Sequence, residues 1–237
     1  MFHRSTLASL CLVGLAAVGC SKETTGSSNI KTGGIAALID VYAEDDTTAT
    51  VHVELRVGGD SSNTYVDLEG SDTLTATAGG KTKTLSVVDS GIYEADFSGL
   101  EPGTEFTVSL DRPDDTTASD NSGTLPDPFD LDEPAGDLSR KDDPLEVTWA
   151  PADTGDDMKL EIDGKCIFSF SEGGLADSGA YTVAAGELDS TGNDMPESCN
   201  LTAELTRTKE GSADTAFDPE SHFRLHQVRS AKFASNP

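Results

Sequence analysis

The sequence predicts an all-β protein of two consecutive antiparallel β-sandwiches, and three observations carry that expectation. Apolar and polar residues alternate at period two over one short segment after another, as strands buried on one face require. Gly, Asp, Ser and Pro turns separate these segments. The chain has 237 residues, enough for two domains of about 100 residues each.

In "TATVHVELRVGG" the residues Val51, Val53, Leu55 and Val57 alternate with His52, Glu54 and Arg56, which gives one dry face and one wet face. In "TLTATAGGKTKTLSVV" Gly79 and Gly80 lie between two Thr-rich arms, the arrangement of a tight hairpin whose turn needs positive φ. Further strands are read in "IAALIDVYAE", "YVDLEG", "GIYEADFSGL" and "EFTVSLDR". About seven strands within the first half suit a two-sheet sandwich.

From Asp111 to Pro134 the composition turns polar, with Pro113, Pro126, Pro128 and Pro134 among many acids, so a domain boundary is placed near Asp127. Strand patterns then resume in "LEVTWAP", "MKLEIDGKCIFSFS", "AYTVAAGEL", "CNLTAELTRT" and "HFRLHQVRSAKF". Leu160 with Ile162, Phe168 with Phe170, and Leu201 with Leu205 form inward sets, and Trp149 reads as a core filler. In the last strand the apolar phase runs Phe223, Leu225, Val228, Ala231, Phe233, which predicts a bulge or bend around Gln227.

The stretch "GLEPGTEFTVSL", Gly99 to Leu110, resembles the turn into a late strand of fibronectin type III and related immunoglobulin-like domains. Leu100, Pro102, Gly103 and Thr104 match, while Phe106 replaces the usual tyrosine. The resemblance implies immunoglobulin-like sandwiches and implies nothing about a ligand.

The N-terminus has the parts of an export signal: Arg4, an apolar stretch from Leu7 to Val18, and small residues before a cut. That stretch is shorter than the about 20 residues a permanent span needs. Ala17, Val18, Gly19 and Cys20 resemble the bacterial lipobox, with Ala17 where leucine is usual. The resemblance implies acylation of Cys20 after removal of residues 1–19, and Ser21 behind it implies the outer membrane. Two or three acyl chains hold stably, at about 0.8 kcal/mol for each buried methylene. "SKETTGSSNIKTG" then reads as a flexible tether. The expected organisation is a signal peptide over 1–19, a tether over 20–33, a first sandwich over 34–126, an acidic linker over 127–141 and a second sandwich over 142–237.

Export also decides the state of Cys166 and Cys199, which read as a disulfide because neither has histidine or cysteine neighbours at zinc spacing. A bridge between positions 33 apart contributes about 3.5 to 4 kcal/mol in the chain-entropy estimate. Without Arg4 there are 15 basic and 43 acidic residues, so the mature net charge is 15 − 43 = −28. Such a surface repels phosphate backbones, which argues against a nucleic-acid partner. After Glu220 the chain has no acid but carries Arg224, Arg229 and Lys232, a basic strand expected to neutralise acidic neighbours.

Elbow, zinc-helix, phosphate-loop and dinucleotide motifs of enzymes are absent, and no catalytic residue or resident cofactor is expected. His222 and His226, with Arg224 between them, share one strand face and are expected to face solvent, too far apart along the strand to share a metal. Asp127, Asp130, Asp132 and Glu133 cluster at the expected domain junction and are the candidate calcium ligands, with Asp153, Asp156 and Asp157 a second acidic group. The function expected is that of a lipid-anchored envelope protein that binds a protein or glycan, or serves structurally. The alternative is an envelope hydrolase with paired loop carboxylates.

Overall fold

The computed structural model describes residues 22–134, 137–191 and 198–237. Its regular structure is almost entirely strand, with two short 3-10 turns and no α-helix among the described residues. The first half contains β1 (Glu23–Gly26), β2 (Ile35–Ala43), β3 (Thr48–Val57), β4 (Thr64–Asp67), β5 (Thr73–Ala78), β6 (Lys81–Thr84), β7 (Ser86–Asp89), β8 (Ile92–Ser98), β9 (Glu105–Asp111) and β10 (Ala118–Thr124). The second contains β11 (Asp130–Leu131), β12 (Leu138–Ser139), β13 (Leu145–Ala150), β14 (Asp157–Asp163), β15 (Phe170–Leu175), β16 (Ala180–Val183), β17 (Cys199–Glu210) and β18 (His222–Asn236).

Two cores form, and one long sheet covers both. Its strands run β1-β4-β3-β2-β18-β17-β14-β15, with β8 pairing on β3 and β7 on β8. Against one end packs the sheet β10-β9-β5-β6, and against the other packs β11-β13-β16. The first core holds Ile39, Val53, Leu74, Phe97, Phe106 and Phe223, and the second holds Val147, Trp149, Leu160, Leu201 and Phe233. Phe97 and Phe106 meet edge to face at 5.6 Å, so the phenylalanine that replaces the usual tyrosine serves as core. Gly79 and Gly80 form the two-residue β5–β6 turn with φ of 56° and 73°, as the sequence predicts.

The division into sandwiches over 34–126 and 142–237 does not hold, because the C-terminal strand serves both. Phe223 and Leu225 of β18 fill the first core, while Phe233 fills the second. β18 lies parallel to β2, with His222 to Gln227 beside Leu38 to Ala43. Parallel pairing also joins β1 to β4 and β12 to β18, so the sheets are not purely antiparallel. The return of the chain to the first sandwich needs close backbone contact: a Cβ on Gly211 would lie 2.6 Å from the Ser122 carbonyl and 2.8 Å from Phe223. Buried Asn121 fastens the same crossing, donating to the Val108 carbonyl at 2.9 Å and accepting from the Asp214 amide at 2.8 Å.

No bulge interrupts β18. It pairs with β17 in unbroken register from Cys199 opposite Ser235 to Glu210 opposite Arg224. The odd residues of β18 face inward throughout, and the apparent change of phase arises where the strand passes between the cores. There Gln227 and Arg229 take inward positions and Val228 points out, so polarity inverts while geometry does not.

Residues 23–33 are no tether. β1 pairs with β4, and the buried Arg112 guanidinium binds the carbonyls of Ser27 at 2.6 Å and Ile30 at 3.1 Å, with the Asp72 carboxylate at 2.9 Å. Ser27 and Thr32 are buried acceptors rather than solvated spacers, Ser27 Oγ accepting from the Glu69 amide at 2.9 Å and Thr32 Oγ1 from Arg112 at 3.2 Å. The stretch 127–141 is likewise folded into the second sandwich: Phe129 and Leu138 are core, and β11 and β12 join sheets. Cys166 and Cys199 form a disulfide, tying the segment after β14 to the start of β17.

Where the cores meet, Arg207 is fully buried. It donates to the carbonyls of Asp127 at 2.8 Å and Pro151 at 2.7 Å and to Asp177 Oδ1 at 3.1 Å, with its guanidinium 4.8 Å over the Phe129 ring. Asp177 also accepts from Trp149 Nε1 at 2.7 Å and Thr154 Oγ1 at 2.6 Å. Burial alone would raise the Asp177 pKa, but these donors outweigh it and hold the carboxyl below the usual carboxylate range. Removing one partner of such a pair leaves an uncompensated buried charge, so Arg207→Met is expected to cost about 3–5 kcal/mol. Urea unfolding would measure it as a lower midpoint, and a loss below about 1 kcal/mol would contradict a junction built on this buried charge.

Candidate functional site

The outer face of the long sheet carries polar side chains across both sandwiches, with Ala36 and Leu38 of β2 buried among them. Even residues of β2, β3 and β18 point outward, and their register places Asp40 beside His52 of β3 on one side and Arg224 of β18 on the other. The three histidines of the described chain, His52, His222 and His226, therefore share this face with Asp40, Glu54, Glu94 and Glu210.

His222 and His226 are not simple solvent-facing residues. Their Nε2 atoms reach the two oxygens of one carboxylate, Asp40, at 3.3 Å and 2.9 Å. Arg224, between them, turns away to Glu210 at 2.9 Å. The Thr208 hydroxyl lies 3.0 Å from His226 Nδ1, so in the neutral ring it donates there while Nε2–H donates to Asp40. Tyr42 stacks on His226 with ring centres 4.7 Å apart. Burial first, then the charges of Asp40 and Glu54, push the Tyr42 phenol up to about 12. Its half-exposed ring borders an open depression of about 530 Å³ lined by Glu44, Thr48, Thr50, Lys83 and Asp96. On the neighbouring strands His52 Nδ1 meets Glu94 at 2.9 Å. An aromatic ring flanked by carboxylates, hydroxyls and imidazoles can recognise a polar partner by stacking and hydrogen bonding.

The four carboxylates read as a calcium loop do not come together. The Asp127 carbonyl is taken by Arg207, Asp130 sits in β11 opposite Ala150, and Asp132 accepts from the Thr148 hydroxyl at 2.8 Å. Among the described residues no three His, Cys, Asp or Glu side chains converge to hold a metal ion. Short ladder strands here spread the side chains to opposite faces. Trp149 is core, with its indole proton on Asp177. Arg224 and Arg229 neutralise acids, Arg229 meeting Asp46 at 2.5 Å. Cys20 lies outside the described residues. Asp40 and Tyr42 carry no sequence motif, and the parallel return of β18 is what brings them to His222 and His226.

No protein-family model matches this chain, and no curated protein matches it. Among solved structures, the adhesin InvE of Yersinia pseudotuberculosis is similar over 86% of this chain and 59% of its own, at 13% identity and a TM-score of 0.23. Titin domains A168–A170 are similar over 84% and 60%, at 14% identity and a TM-score of 0.24. Salmonella alpha-2-macroglobulin is similar over 84% of this chain and 15% of its own, at 12% identity and a TM-score of 0.25. The chain thus spans less than two thirds of each of these proteins.

Two carboxylates on this face give opposite expectations. Burial would raise the Asp40 pKa, yet the hydrogen bonds from His222 and His226 outweigh it and hold the carboxyl well below the usual range. A depressed folded-state pKa stabilises above the unfolded carboxylate pKa of about 4 and loses that effect as pH falls through the folded value. Asp40→Asn is therefore expected to lower the Tm at pH 7 and to flatten the acid limb of the Tm–pH profile; an unchanged profile would contradict this. Glu204 stands directly opposite Glu161, and burial, then Glu161 and Glu44, raise its pKa. That penalty is absent below the unfolded pKa and grows as pH rises through the folded value. Thermal melts of Glu204→Gln should show a higher Tm at pH 7 and no gain near pH 3.

Proposed function

We propose that the chain is a lipid-anchored envelope protein whose fused sandwiches display one broad polar sheet face to a protein or glycan partner. The observation that supports this reading is the Tyr42–His226 stack beside Asp40 at the centre of that face, bordered by the depression at Glu44, Thr50 and Asp96. A half-exposed ring stacked on an imidazole that a half-buried carboxylate fixes offers stacking area at little entropic cost, which suits recognition. The lipobox-like Ala17 to Cys20 supports the anchor, and the outer membrane is the compartment proposed.

The anchoring half is tested by metabolic labelling with an alkyne fatty acid. The native chain should incorporate label and fractionate with membranes, and Cys20→Ser should lose both; an unlabelled native chain in the soluble fraction would overturn it. The display half is tested by a photo-crosslinker at Tyr42 in intact cells. A discrete adduct from position 42 that is absent from position 146, on the opposite side at exposed Glu146, is the expected result. Equal or no crosslinking at the two positions would overturn it.

A further inference from the structure

We propose that the β6–β7 edge of the first sandwich lies against the lipid surface, so that the anchor fixes the orientation of the body as well as its location. This rests on the lipid-anchored reading above. Cys20 stands two residues before Lys22, a reach of at most about 7 Å. Lys22 is already docked: its Nζ lies 2.9 Å from Asp89 Oδ2 and 4.0 Å from the Tyr65 ring centre. The next residue, Glu23, donates its amide to the Asn63 carbonyl at 3.1 Å and opens β1. With no slack between lipid and body, the surface around Asp89 must approach the headgroups.

That surface has the chemistry of a lipid contact. Asp89 ends β7, and the two residues before it, Val87 and Val88, are 64% and 54% exposed. They are two of only four exposed large hydrophobic residues among the described residues. β7 pairs with β8 alone, so its other edge is open and both valines project. Lys81 and Lys83 turn to the Ser98 and Asp96 carbonyls of β8, and Glu94 and Asp96 border Val88, so the contact offered at this edge is the apolar one of the valines. Burial of the two exposed valines in the headgroup and acyl boundary is the favourable term that such a contact would supply.

The test places a nitroxide, through a ketone-bearing side chain, at Ser86 or at Ser171 in β15 of the second sandwich. The lipidated protein is reconstituted in phosphatidylcholine nanodiscs, and collisions with oxygen and with a nickel chelate are measured. The label at position 86 should gain oxygen contact and lose chelate contact on reconstitution, while the label at 171 changes in neither. The V87S/V88S double variant, still anchored and folded by its unchanged melting curve, should abolish the response at 86. A position 86 that stays as chelate-accessible as 171 overturns the proposal. Intact mass of the same preparation reads the anchoring separately. Were Cys20 to lack lipid, the anchoring reading would fall, and coupling Cys20 to a maleimide phospholipid lets the same two labels decide the docking: protection at 86 supports it and none overturns it.

Discussion

A buried guanidinium that has given up its water depends on the acceptors it keeps, and Arg207 draws them from the crossing between the cores and from the loops of the second sandwich. The Asp127 carbonyl lies in the crossing between Leu125, the last residue there in the first core, and Phe129, the first in the second, while the Pro151 carbonyl and Asp177 belong to loops of the second sandwich. Gln227, opposite Arg207 on β18, donates to the Pro126 carbonyl at 3.3 Å and fastens the same crossing. If the sandwiches rotated against each other, a buried charge would lose its acceptors, a cost of several kcal/mol. The junction is therefore stiff although it is polar, and the two cores share one strand, β18, paired with β17 in unbroken register.

Stiffness of this kind accounts for the outer face. Parallel pairing of β18 with β2 requires the C-terminal strand to return to the first sandwich, and that return alone brings His222 and His226 to Asp40. The same sheet continues into β17 and β14, where Glu204 faces Glu161. A surface laid over two domains would flex at their boundary if it were built from two sheets. Here it is one sheet, so the Tyr42 ring, the imidazoles and the carboxylates keep fixed mutual positions, which is what a recognition surface needs.

The strands of the first sandwich were legible because each carries its own signal: alternation in β3, and the glycine pair that turns β5 into β6. What failed to show was whatever depends on distant partners. Residues 23–33 look solvated by composition, and distant partners such as Arg112, Glu69 and Thr116 are what make Ser27 and Thr32 interior. β18 looks bulged because its inward residues turn polar between the cores. Arg207 did leave a trace, as a charge in the inward phase set by Leu201, Ala203 and Leu205, and such a residue in a strand announces either an edge or a buried pair. The candidate site was half legible: the histidines stood out on one strand face, while Asp40, 182 and 186 positions away, had nothing local to mark it.

Whether the sandwiches form one unit is decided most directly by scanning calorimetry at neutral pH with the disulfide intact. A single transition whose calorimetric enthalpy equals its van't Hoff enthalpy is the result expected of cores sharing one strand. Two resolved transitions, or a calorimetric enthalpy about twice the van't Hoff value, would contradict it and restore two independent domains joined in series.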